Sequence, residues 1–148
     1  MSKTEKSTEQ SANKPVIIQF ESEEFYRAVV SQLLYTVDME LAATAKSKKD
    51  AEKLIGKIIN KELTPTIAIV DSLLEDRHSE GEVIAKKIRE VSPETKIIAY
   101  TILEDVEWAD YVAIKSNRVP SKTIIRGLAD LLKIEFPTSN DAAKYNSD

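Results

Sequence analysis

Apolar and polar positions along this chain follow two rhythms in turn. Short apolar runs predict strands at 15–20, 39–44, 66–71, 95–101 and 109–114. Between them, apolar residues recur every three or four positions and predict helices. These are 23–37 (Phe25, Val29, Val30, Leu33, Leu34), 48–61 (Ala51, Leu54, Ile55, Ile58, Ile59), 81–91 (Val83, Ile84, Ile88) and 121–132 (Ile124, Ile125, Leu128, Leu131, Leu132). Ser22 ahead of Glu23 and Glu24 predicts an N-cap, as does Ser47, and Pro120 suits a helix start. The run Thr66-Ile67-Ala68-Ile69-Val70 is apolar on both faces, as a central parallel strand must be.

Alternation of this kind implies an α/β fold: a five-stranded parallel sheet with helices on both faces and right-handed crossovers. Strand order 2-1-3-4-5, the flavodoxin-like order, is the expected arrangement. Only thirteen residues separate Thr101 from Lys115, so the helix between strands four and five should be missing or very short. Residues 1–13 and 135–148 are polar and expected to be disordered tails around a domain spanning 14–134.

Composition narrows the function. An apolar fraction of 42% and a charged fraction of 31% suit one soluble domain of 148 residues, and a fused DNA-binding domain is not expected. A net charge of −4 argues against nucleic acid as a direct partner. The absence of cysteine excludes disulfides and thiol chemistry and fits the cytoplasm. No apolar run approaches the ~20 residues of a membrane span, and the N-terminus lacks a signal-peptide core. None of the three glycines lies in a phosphate-cradling loop. The single histidine, His78, sits among Glu75, Asp76 and Glu80 in a polar loop and does not assemble a Ser-His-acid set. An enzyme is therefore not expected.

The chemistry lies at the strand ends. Asp71 closes the third run, Thr101 the fourth and Lys115 the fifth. In an open parallel sheet the carboxyl ends of the strands share one edge, where ligands bind. A carboxylate, a hydroxyl and an ammonium gathered there can take a phosphoryl group onto the carboxylate. Each also has a plainer role: a loop-satisfying carboxylate, a strand-forming threonine, a solvated lysine.

This layout over residues 15–133, and above all the stretch from Gly81 through Thr101, resembles the receiver domain of bacterial response regulators, in an atypical or pseudo-receiver form. The resemblance implies a phosphoacceptor at Asp71, phosphorylated by a histidine kinase or phosphotransfer protein. It implies Mg²⁺ held by Glu21, Asp71 and the backbone of Leu73, with Thr101 and Lys115 contacting the phosphoryl group. Output would pass to a downstream protein partner, with no membrane involved. The alternative is a pseudo-receiver that binds partners without using Asp71.

Four departures stand out. The family's first strand ends in two acidic residues; the expected register puts Phe20 and Glu21 there, with Glu23 and Glu24 as substitutes, so Mg²⁺ binding should be weak or absent. The loop after Asp71 is long and lacks a proline near Leu74. The helix before strand five is curtailed, leaving Trp108 either to mark a partner surface or to cover the core. Finally, Ser116 follows Lys115 in place of proline, and Val112 stands where the family has a switch aromatic, with Tyr111 on the opposite face.

Overall fold

Sheet order is β2-β1-β3-β4-β5, and every neighbouring pair is parallel, as the alternation predicts. The strands are β1 (Ile17–Phe20), β2 (Leu41–Ala45), β3 (Ile67–Val70), β4 (Lys96–Thr101) and β5 (Tyr111–Ile114). The helices are α1 (Glu24–Thr36), α2 (Lys48–Ile59), α3 (Glu80–Val91) and α4 (Ile124–Leu132). This computed structural model describes residues 14–76, 80–102, 106–116 and 122–136. The expected tail 1–13, residues 137–148 of the expected tail 135–148, His78 and Pro120 lie outside the described residues, while Phe136, expected in that tail, packs against the core beneath α1 and α4.

Strand side chains alternate between faces, and the two cores sort accordingly. Ile18, Phe20, Ala68, Val70 and Ile97 face α2 and α3, where Leu54, Ile55, Ile58, Ile84 and Ile88 close over them. Ile17, Ile67, Ile69, Ile98, Tyr100 and Ala113 face α1 and α4, under Val30, Leu34, Ile124 and Leu128. β3 is buried at every position because both faces are covered.

Helix starts follow cap chemistry in two of the three places where a capping residue was expected or found. Ser47 accepts from the Asp50 N–H at 3.1 Å, as its sequence predicts. α4 begins later than expected, because Thr123 caps it by accepting from the Arg126 N–H at 3.2 Å. Ser22 is not the cap of α1: Glu23 holds that position, and the Ser22 hydroxyl instead accepts from the Glu75 N–H at 3.1 Å.

That last contact fixes the long loop after Asp71. Glu75 adopts a left-handed backbone (φ 55), and its carboxylate accepts from the Lys48 N–H at 2.9 Å, at the start of α2. Leu74 beside it is fully buried against the α2–α3 core. The described part of the loop, through Glu75, is thus pinned to the turns that follow β1 and β2 without any proline.

Among the described residues, no helix occupies the segment between β4 and β5. Trp108 and Ala109 pack against the α2–α3 core instead. Arg89 of α3 donates to the Trp108 carbonyl at 2.9 Å and pairs with Asp110 at 3.3 Å, while Asp110 accepts from the Ile97 N–H at 2.8 Å. Trp108 therefore covers the core.

Candidate functional site

β1 and β3 end as neighbours, β5 ends on the same edge beyond β4, and the residue after each of the three carries charge. Glu21 continues the ladder by donating to the Ala45 carbonyl at 2.9 Å, and Asp71 does so by donating to Phe20 at 3.0 Å. Alternation turns both side chains, and that of Lys115, to the face that α1 and α4 cover. Lys115 Nζ lies 2.9 Å from Glu21 Oε1 and 3.2 Å from Asp71 Oδ2. The side chains are 1%, 8% and 5% exposed for Glu21, Asp71 and Lys115. The cluster is closed to bulk water.

The other oxygen of each carboxylate accepts from a backbone amide. Glu21 Oε2 accepts from the Glu23 N–H at 3.2 Å, and Asp71 Oδ1 accepts from the Leu73 N–H at 3.1 Å. Burial is the main force on Glu21 and pushes its carboxyl up to about 7 from 4.5. The neighbouring Asp71 charge pushes the same way, and the Lys115 ammonium opposes both.

Thr101 is fully buried at the end of β4, on the opposite face of the sheet from Lys115. Its hydroxyl meets the Ser72 hydroxyl at 2.5 Å, while its carbonyl accepts from the Lys115 N–H at 2.9 Å. Sequence reasoning missed Ser72, although its place directly after Asp71 put it on the same edge. It also missed Gly81. A Cβ there would lie 2.4 Å from the Asp71 carbonyl oxygen and 2.7 Å from Ser72 Cα, so only glycine lets α3 start this close to the acceptor strand.

Phe20 does not belong to the site. It is fully buried in the α2–α3 core, because alternation turns it away from Glu21. Of the two expected positions only Glu21 therefore reaches the site, and Ser22 after it turns its hydroxyl to the Glu75 N–H. Tyr111 lies in the α1–α4 core, its ring filling the space above Gly127.

As donors, two hard carboxylates suit a divalent cation that keeps several waters. Glu21 and Asp71 fit that role in kind. Lys115 Nζ lies against one oxygen of each carboxylate and a backbone amide donates to the other, so a cation has to compete with Lys115, although Glu21 Oε1 accepts no well-aligned hydrogen bond.

No protein-family model matches the chain, and no curated protein matches it in sequence. Solved structures do match. A CheY-like response regulator receiver domain protein from Methanospirillum hungatei superposes with a TM-score of 0.62 at 19% identity, over 82% of this chain and 96% of that one. This is the receiver fold. The response regulator TrrA from Thermotoga maritima, in complex with Mg²⁺ and BeF, gives 0.61 at 21% identity, over 79% of this chain and 98% of that one. A chain of the complex between the CheA3 P1 domain and CheY6 from R. sphaeroides gives 0.61 at 16% identity, over 82% and 99%. The receiver fold accounts for the sheet order and for the shared edge on which Glu21, Asp71 and Lys115 converge.

Proposed function

We propose that this chain is a signalling receiver that accepts a phosphoryl group on Asp71 and passes the signal on by protein–protein contact. The observation that carries the reading is the burial of Lys115 against the Asp71 carboxylate at 3.2 Å. A carboxylate becomes a phosphoryl acceptor only where positive charge offsets what accumulates on the transferring group. Lys115 supplies it. One Asp71 oxygen attacks phosphorus, the donor's P–N or P–O bond breaks, and the electron pair leaves with the donor. Thr101 then turns its hydroxyl from Ser72 to a phosphoryl oxygen.

Mg²⁺ would be held by Glu21 and Asp71, with the Leu73 backbone as a further donor, and would supply additional positive charge to the phosphoryl oxygens. Competition from Lys115 makes that site weak. A histidine kinase or phosphotransfer protein fits as donor, as the CheA3 P1–CheY6 complex illustrates for its own components. The net charge of −4 favours a protein partner over nucleic acid, and a cysteine-free chain suits the cytoplasm.

The test is incubation with acetyl phosphate and Mg²⁺, followed by intact mass. One added phosphoryl group on the wild type and none on Asp71→Asn is the expected outcome. A wild type that takes up none defeats the reading.

A further inference from the structure

The Tyr26 ring lies against Lys115 together with the two carboxylates. Its ring centroid lies 4.1 Å from Nζ, and that of Tyr100 lies 5.6 Å away. The two rings meet edge to face at 5.8 Å and 89°. An ammonium over an aromatic face is held most strongly where water is excluded, and the Lys115 side chain is almost fully buried.

Tyr26 sits in the first turn of α1, and that turn is tied to the same site by two further bonds. The Glu23 N–H donates to the Glu21 carboxylate, and the Arg27 guanidinium donates to the Glu21 carbonyl at 2.9 Å. Phe25 packs edge to face on Tyr26 at 5.1 Å and is 69% exposed. A continuous chain of contacts thus runs from Asp71 through Lys115 and Tyr26 to the surface at Phe25. The β4–β5 side offers less. Val112 stands where an aromatic was expected, and Arg89 pins the connection before β5 to α3.

We propose that Tyr26 is a positioning residue for Lys115, and that through it the state of Asp71 is relayed to α1 and Phe25. The relay rests on the reading of Asp71 as phosphoacceptor; the positioning does not. When phosphoryl oxygens arrive, they redirect the ammonium. The Tyr26 ring then follows it, and Phe25 packed on that ring moves with it.

Side-chain ¹⁵N–¹H spectra of the lysine ammonium groups test the positioning in the full chain, with Lys115→Gln assigning the signal. Wild type and Tyr26→Phe should show a slowly exchanging Lys115 ammonium. Tyr26→Leu, which keeps bulk but loses the π face, should exchange at least about tenfold faster. Unchanged exchange in Tyr26→Leu, or loss of the signal in Tyr26→Phe, would overturn it. Tyr26→Met serves, with the same expectation, if circular dichroism shows Tyr26→Leu unfolded.

The relay is read in protein labelled with acetyl phosphate and Mg²⁺. Phe25 ring resonances should shift on labelling in wild type and Tyr26→Phe and stay in place in Tyr26→Leu. Equal shifts in all three would remove Tyr26 from the relay. A wild type that takes no label would end the phosphoacceptor reading and the relay with it, while the ammonium spectra still decide the positioning.

Discussion

Glu21 and Lys115 form a buried ion pair at 2.9 Å, on a site where Asp71 adds a second negative charge. One ammonium serves two carboxylates, and burial raises the Glu21 carboxyl to about 7. Folded protein therefore binds a proton at Glu21 between pH ~4.5 and ~7 that the unfolded chain has released. The stabilisation from this proton is complete below pH ~4.5 and is lost as pH rises through 7. Denaturant unfolding in the absence of divalent metal should show wild-type stability falling over that interval more steeply than that of Glu21→Gln. Parallel profiles for the two proteins would place the titration elsewhere.

Ser22, not Phe20, is the position at which to strengthen the metal site. Ser22→Asp adds a carboxylate at the sheet edge and still offers an acceptor to the Glu75 N–H. Calorimetric titration should show Mg²⁺ affinity rising by about tenfold, since ligand charge tunes such sites. Phe20→Asp buries an unpaired charge in the core and should fail to fold. A folded Phe20→Asp with improved Mg²⁺ binding would return Phe20 to the pocket.

Gly81→Ala should destabilise the protein by about 1–3 kcal/mol, the usual cost of forcing a methyl into filled space. The added Cβ meets backbone, the Asp71 carbonyl and Ser72 Cα, which cannot swing aside as a side chain would. Urea unfolding measures it, and a neutral substitution would show that the start of α3 is not seated against the acceptor strand.

Gln19 is fully buried on the α1–α4 face of β1, and neither its amide nitrogen nor its amide oxygen has a protein partner. Buried polar groups without partners cost about 1–3 kcal/mol. Gln19→Leu, close in volume, should raise stability by ~1–2 kcal/mol on removing them. A loss of stability on urea unfolding would mean that internal water satisfies the amide.

The parallel sheet was legible from periodicity because each strand is a separate apolar run and the runs mostly alternate with amphipathic helices, while its order was taken from the flavodoxin-like arrangement. The curtailed β4–β5 connection was legible too, since thirteen residues cannot hold a full helix and two loops. The end of β1 was not. Ile17 to Phe20 is buried on both faces, and such a strand has no polar alternation to fix which residue faces which core. Phe20 was expected beside Glu21 at the site and instead lies in the α2–α3 core. Tyr26 was hidden for a different reason: a helix position reveals nothing about a lysine 89 residues later until the sheet brings them together.

The most direct test of the account is where the phosphoryl group sits. An acyl phosphate is a mixed anhydride, which borohydride reduces to an alcohol, so labelled protein can be trapped and digested for tandem mass spectrometry. The account predicts that residue 71 alone is recovered as homoserine, and that Lys115→Gln lowers its yield by at least about tenfold, since Lys115 supplies the offsetting charge. Label on Ser72 or on any other residue, or an undiminished yield in Lys115→Gln, would contradict it.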